Sequence, residues 1–447
     1  MEEAMPARLL KSAIYFVALV FIFLLQITMI RDTSMWKMKL SHMLSLSQWV
    51  WHPEASNKEV ITCDRSHERY DICKVNSPTL LDPTSLTLFT LSPYTGAQTH
   101  VKIHPYPRKN DKAAMSSYIK EITLTTSPPP NSTCGVTHHS PALVFSAGSY
   151  TGNFYHDINE NFIPLFITIN SLFCDQDVVL VVIDAMSWWF EKYVEVLSAF
   201  SPNHQVINVN NLTNTHCFPL ATVGLIVHAP MIINPKLLPN HKTLLDFQDF
   251  LKKTYIRSDE TPMLYPNTRD GPHLTLLSRS GNVSRVILNQ EEMIKAAKEI
   301  GFNVHVLEPT RNTSMVYVYN LIHTSHVLLG MHGAGLTHLL FLRPGSVLMQ
   351  VVPIGTEWDS KTYYEAPTKI LGLEYEEYKI KANESSLLKT YGADSLVIKD
   401  PNAFHKGNWA KKRIYLKEQN VKLDMVRFRK CLTKAYKKAT IFMGKVN

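Results

Sequence analysis

The six cysteines, at 63, 73, 134, 174, 217 and 431, form no C-x-x-C pair and no Cys/His cluster, so a structural zinc site has no ligand set to use. No zinc-finger spacing or RNA-binding signature accompanies the basic runs Lys411-Lys412-Arg413 and Lys434 to Lys438, which argues against nucleic acid as a partner. Those runs read as solvated helix faces. No internal repeat recurs at a solenoid period. Excess charge is modest, +8 over 447 residues, and fits an anionic ligand or a membrane neighbour. Apolar and charged fractions of 45% and 19% exclude a globally disordered chain. The length exceeds one ordinary core and implies two lobes with appendages.

One long apolar run is present. Ser12 to Ile30 carries only Gln26 and hydroxyl residues among its apolar side chains. At 1.5 Å per residue it spans roughly 28 Å, about one hydrocarbon core. It lacks the small residues of a signal-peptide cleavage site, so it is expected to be a retained anchor. Basic residues flank it on both sides, Arg8 and Lys11 before and Arg31, Lys37 and Lys39 after, and orientation must come from elsewhere. All six cysteines and the acceptor sequons at Asn131, Asn211, Asn282, Asn312 and Asn383 follow the anchor. Together they favour residues 1–11 as a cytosolic tail, 12–30 as the membrane helix, 31–60 as a stem, and a lumenal body. Cys63 and Cys73 bracket a short polar loop that a disulfide could close, while Cys174 and Cys217 read either as bonded or as buried free thiols.

Beyond the proline-rich linker Thr125 to Cys134, strands and helices alternate. Ala142–Ser146, Val178–Ile183 and Gln205–Val209 read as strands, with helices at Asn153–Ser171 and Trp188–Phe200. A second series gives strands at 274–277, 303–307, 327–329 and 346–352. Its helices are expected at 290–300, with Asn289 and Glu292 as a capping pair and Gly301 as the stop, and at 314–324. Repeated β-α-β units imply parallel sheets covered on both faces, with ligands at the carboxyl ends of the strands. The expected fold class is therefore α/β, with two Rossmann-like lobes facing a cleft, residues 61–250 and 251–447.

Three places carry chemistry. Gly330-Met331-His332-Gly333-Ala334-Gly335-Leu336-Thr337 follows an apolar strand and opens a helix, so its backbone can approach a diphosphate closely. The amides of His332, Gly333, Ala334 and Gly335 are the candidate donors. Arg279 and Arg285 leave the carboxyl end of another strand of the same sheet and can grip the same anion with their planar forks. His156, Asp157 and Glu160 open the first helix of the body, with His156 and Glu160 four apart on one face; the alternative for this trio is ordinary acidic capping. Asp175-Gln176-Asp177 has the spacing of a metal-binding aspartate pair, but it precedes a strand instead of ending one and reads as a loop.

With these residues in hand, the chain resembles glycosyltransferase family 61, in its plant branch of xylan arabinosyl- and xylosyltransferases. The matching stretches run in order: Ile61-Thr62-Cys63-Asp64, Arg69 to Cys73, Tyr150 to Thr168, His216-Cys217-Phe218-Pro219, Ser278-Arg279, Ile287-Leu288-Asn289, Gly330 to Thr337, Gln350-Val351-Val352-Pro353, and Tyr363 through Glu384-Ser385-Ser386-Leu387. The resemblance implies a Golgi type II membrane enzyme of the two-lobed GT-B architecture, inverting and without a bound metal or other cofactor. It would move a pentose from a UDP-sugar to xylan. Glu160, failing that Asp157, would be the base, with His156 orienting or relaying. Partners would be the UDP-sugar, a glycan acceptor, and possible complexes with other Golgi glycosyltransferases. Two other readings are kept: a non-catalytic glycan-binding or scaffolding partner of an active paralogue, and a xylosyltransferase acting on protein N-glycans. The sequence departs from the family pattern at Glu160, where Asp is usual, at His338, where Asn is usual, and at Ser280-Gly281-Asn282, where the loop is usually more basic.

Overall fold

A computed structural model describes residues 59–92, 96–174, 176–256, 271–279 and 283–446. The expected tail, membrane helix and nearly all of the stem lie outside the described residues. So do Asp175, Gly281 and the sequon at Asn282. No helix among the described residues is long and apolar enough to cross a membrane. Residues 59–447 form one compact unit.

The fold is mixed α/β with three sheets. The C-terminal sheet is wholly parallel, in the order Asn303–Leu307, His273–Leu277, Val327–Met331, Val347–Val352, Glu374–Lys379. Its three central strands are buried along almost their whole length, which is why they read as unbroken apolar runs and not as alternating ones. Helix Gln290–Ile300 has the expected bounds and ends on Gly301 in the left-handed region, φ +115°. Its N-terminus differs from expectation. Asn289 makes no cap; its amide group instead bonds both ways with the backbone of Leu423, at 2.8 and 2.9 Å. A short polar side chain will serve whichever backbone group lacks a partner, and here that group lies 134 residues away.

The N-terminal half corrects the expectation of a purely parallel sheet. Ala221–Val223, Ala142–Ser146, Val179–Ile183 and Ile207–Asn208 are parallel neighbours, but Ile61–Asp64 and Ile72–Val75 join them as an antiparallel margin. Seven residues connect those two strands, too few for the crossover that parallel pairing needs. A further six-stranded, mainly antiparallel sheet runs His100–Ile103, Ile122–Thr125, Thr87–Thr90, Thr79–Asp82, His216–Phe218, Val136–Thr137. Both disulfides belong to this half. Cys63–Cys73 spans directly opposed residues of the marginal pair. Cys134–Cys217 ties the proline linker to the strand beside it, so Cys217 is bonded. Cys174 is a free, exposed thiol.

The two halves share their largest apolar core. Phe145, Phe166, Trp189 and Phe247 belong to the same cluster as Leu328, Leu336, Phe341 and Leu348. Helix Leu244–Tyr255, closed by a capping box at Thr243 and Asp246, carries this core from one half to the other. The expected lobe boundary at 250/251 therefore falls inside a helix. Gln248 on that helix donates to the carbonyls of Leu340 and Leu342, and Tyr255 stacks on Tyr319.

Two helices are interrupted by single π-helical segments, which no residue pattern announced. The helix expected at Asn153–Ser171 begins as Phe154–His156, widens to a π segment at Asp157–Phe162, and resumes as Ile163–Leu172. The second runs Glu357–Ser360, π segment Lys361–Glu365, Ala366–Ile370. Such bulges recur at functional sites because they re-aim side chains within an otherwise regular helix. The helix expected at Trp188–Phe200 is likewise broken at Tyr193 into Ser187–Lys192 and Val194–Phe200.

Candidate active site

A cavity of about 540 Å³ lies between the halves. On one side stand Gly152, Asn153 and Phe154 of the bulged helix start, with Trp188 and Lys192; on the other stand Arg279, Arg285 and Gly333 to Gly335. Arg279, Arg285 and the glycine turn follow the carboxyl ends of parallel strands, where the topology puts ligands. Phe154 stacks on His338 with ring centroids 4.0 Å apart, and Tyr155 meets Tyr363 at 5.3 Å. These contacts seat the helix start against the glycine turn.

The glycine turn is a tighter device than expected. Ala334–Phe341 is a 3₁₀ helix, capped by Gly333 at φ +150°, ψ 178°, a conformation essentially reserved for glycine. A Cβ there would sit 3.0 Å from Arg285 Nη1 and 3.2 Å from Arg279 Nη1. The missing side chain thus lets two guanidiniums reach the turn. His332 is placed beneath the turn and not on it. Its amide donates to the Val351 carbonyl, and its ring is buried with Nδ1 between Gln350 Nε2 at 2.8 Å and Ser360 Oγ at 3.1 Å. Burial, with the nearby Arg285 charge, holds that imidazole neutral, well below its ordinary pKa. Its amide is thus spoken for, and the donors left facing the cavity are the first amides of the 3₁₀ helix.

Arg285 is 9% exposed, lies at φ +62°, and donates from Nη1 to the His332 carbonyl at 2.9 Å. Its Nε is buried without a partner. Neither Arg279 nor Arg285 has a carboxylate partner among the described residues. Burial, then the neighbouring Arg279 charge, pulls Arg285 down to about 10, and burial lowers Arg279 as well. Two like charges removed from water without a counter-charge are unfavourable by themselves. An arriving dianion relieves both costs at once.

The His156 helix is electrostatically the opposite. Glu160, 2% exposed, accepts from Arg108 Nη1 at 2.6 Å, from His156 Nδ1 at 2.8 Å, and from the Tyr106 hydroxyl. Burial acts to raise its pKa, yet the bond and charge of His156, with Arg108 and Tyr106, hold it below the ordinary carboxylate value. Asp157, wholly buried, accepts from Trp189 Nε1 at 3.1 Å and the Tyr193 hydroxyl at 2.9 Å. Burial raises it to about 6. Neither carboxylate lines the cavity, and the side-chain bonds of both are directed at protein donors. His156 is the partly exposed member of the group, stacked on Tyr150 at 4.5 Å. It does not line the cavity either; it sits two residues past Phe154, at the edge of the same helix start.

Sequence reasoning passed over Tyr106 and Arg108, which carry no local signal and reach Glu160 across 54 and 52 residues. It also passed over Arg311, whose guanidinium lies 4.4 Å over the Trp188 ring, and Lys192, which donates to the carbonyls of Thr310, Arg311 and Thr313. The position of Arg311 after strand Asn303–Leu307 was the available clue, since loops at that strand end face the ligand. Asp177 accepts from Asn203 at 2.7 Å, and no group of three or more metal-ligating side chains occurs among the described residues. The sequons at Asn131, Asn211, Asn312 and Asn383 are exposed.

The sequence model of the glycosyltransferase 61 family matches residues 152–349, from the helix start through the glycine turn. It is 39% identical over 408 residues to the xylan glycosyltransferase MUCI21 of Arabidopsis thaliana, covering 87% of this chain and 81% of that protein. Two rice (Oryza sativa subsp. japonica) proteins are also similar. Alpha-1,3-arabinosyltransferase XAT3 is 33% identical over 377 residues, 83% of this chain and 64% of its own length. Beta-1,2-xylosyltransferase XYXT1 is 32% identical over 399 residues, 84% and 83% respectively. The chain belongs to glycosyltransferase family 61, in the plant branch of xylan arabinosyl- and xylosyltransferases.

Proposed function

We propose that this protein transfers a pentose, arabinofuranose or xylose, from a UDP-sugar to a hydroxyl of xylan, with inversion at the anomeric carbon. One observation carries the reading: Arg285, buried, and Arg279, partly buried, converge without carboxylate partners among the described residues on a glycine turn that lines the same cavity. A diphosphate leaving group supplies the charge that this place lacks. As the glycosidic bond to the diphosphate breaks, negative charge grows on the leaving oxygen, and donors already aimed there stabilise it without reorganising. The resemblance to arabinosyl- and xylosyltransferases supports the pentose. Sheets with parallel strands on either side of one cavity support a GT-B architecture, and the two disulfides and exposed sequons support a lumenal body on a type II anchor in the Golgi. No metal is assigned a role.

Proton removal from the acceptor is assigned to His156. Glu160 is held ionised, so Nδ1 of His156 carries the proton shared with it, at 2.8 Å. Nε2, the ring nitrogen not bonded to Glu160, is the one that accepts a proton when the ring is neutral, as a general base must. Glu160 is then a positioning residue. The longer acid, in place of the usual Asp, is accommodated because Tyr106 and Arg108 hold it from the far side. Full-length protein incubated with UDP-arabinofuranose or UDP-xylose and xylo-oligosaccharides should yield a product one pentose heavier by mass spectrometry. UDP binding without any transfer to xylan would instead favour the scaffolding role, and transfer to protein N-glycans alone would redirect the acceptor.

A further inference from the structure

From the edge of the cavity a file of aromatic rings runs outward. Trp358, 62% exposed, meets Tyr363 edge-on at 5.8 Å. Tyr363 tilts against Tyr155 at 5.3 Å, and Tyr155 stands edge-on to His156 at 5.4 Å. His156 stacks on Tyr150, which is 38% exposed. The file thus crosses from the second π-bulged helix to the first and reaches the imidazole assigned to proton transfer. We propose that this aromatic file is the acceptor subsite, binding a linear chain of pyranose residues and delivering one hydroxyl to His156.

The chemistry of the file selects that occupant. A β-linked pyranose presents a flat face of C–H groups and a rim of hydroxyls. Aromatic rings remove the faces from water, and phenol tips meet the rims. The charge of Arg69 acts on both Tyr155 and Tyr363. A polyanion would need more: Arg108 at the far end is already taken by Glu160 and Asp111. Trp358 is also anchored from below. Lys412 Nζ lies 5.3 Å from its ring and forms a buried ion pair with Asp359 at 2.6 Å. A large apolar side chain held firmly at the surface, in line with partly exposed rings leading to a reactive group, has the build of a ligand platform and differs from an isolated exposed residue.

This inference rests on the transferase reading for its endpoint at His156, but its test does not need turnover. Xylobiose through xylohexaose are titrated into the full-length protein by calorimetry, beside UDP as a separate probe. Affinity should rise with chain length, and Trp358→Ala should weaken xylohexaose at least tenfold, with xylobiose and UDP binding unchanged. Tyr363→Ala should do the same, and Trp358→Phe should restore most of the loss. In turnover, the two alanine variants should raise the acceptor KM and leave the donor KM alone. Melting curves of Trp358→Ala should match wild type, since the ring is exposed. Xylohexaose binding within twofold of wild type in both alanine variants overturns the subsite. Loss of UDP binding with the xylohexaose effect intact instead counts against the transferase reading and leaves the subsite standing.

Discussion

The two walls of the site treat charge in opposite ways. On the glycine-turn wall, Arg285 is buried and Arg279 partly buried, neither has a carboxylate partner among the described residues, and Arg285 is drawn down to about 10 by burial and its neighbour. On the helix wall, Glu160 has three donors and Asp157 two from side chains. The first wall is incomplete as a protein structure and becomes complete with a dianion. The carboxylates of the second are satisfied already by protein donors. Charge left unpaired marks where substrate charge goes, whereas charge fully paired marks what must hold still.

If that contrast is right, removing an unpaired cation should hurt turnover most. Arg279→Ala is expected to lower kcat about 100-fold or more with no change in melting temperature; near-normal turnover removes Arg279 from the site. On the opposite wall, His156→Ala should cost about 100-fold in kcat. Glu160→Gln should cost less, roughly tenfold, because His156 remains but its tautomer is no longer fixed. Glu160→Asp should recover much of that loss with the acceptor KM unchanged throughout. A glutamine variant as impaired as the alanine at 156 would make Glu160 itself the base. Gly333→Ala places a methyl 3.0 Å from Arg285 at a backbone angle only glycine tolerates; the donor KM should rise about tenfold, in line with 1–3 kcal/mol of strain. An unchanged donor KM would mean that the turn does not hold the nucleotide.

The smallest effect concerns stability. Asp157 has a folded pKa of about 6 against an ordinary 3.8. Its folded value is the higher one, so its contribution to stability is complete below about 3.8 and is lost as pH rises through about 6. Asp157→Asn keeps both hydrogen-bonding partners and removes the titration. Relative to wild type, its melting temperature should be higher at pH 7 than at pH 4; equal differences at both pH values would mean that Asp157 is not desolvated as the fold implies.

Much of the C-terminal half could be read directly, because a buried parallel strand writes itself as a continuous apolar run and an amphipathic helix as a 3.6-residue period. Helix Gln290–Ile300 and strands Ala142–Ser146 and Asn303–Leu307 match their expected bounds. The glycine turn and its arginines were also visible, since a close backbone approach demands a residue type. What stayed hidden is whatever depends on distance in space. Asn289 looked like a cap but serves Leu423. His332 sits in the glycine motif but points its hydrogen bonds at Gln350 and Ser360. The π segments carry no composition signal, and Glu160 receives Tyr106 and Arg108 from the connection between strands His100–Ile103 and Ile122–Thr125, 54 and 52 residues away in sequence. The role of Trp358 follows only from which rings lie beside it.

The apolar core common to both halves has a consequence for how the enzyme works and how it fails. Phe247 and Tyr255, on the helix that joins the halves, pack in one cluster with Phe166 before them and Phe341 after. The halves are therefore joined through one core, and any hinge between them would have to part those rings. A core common to both halves should make the body melt in a single transition, with a core substitution in either half lowering that one midpoint.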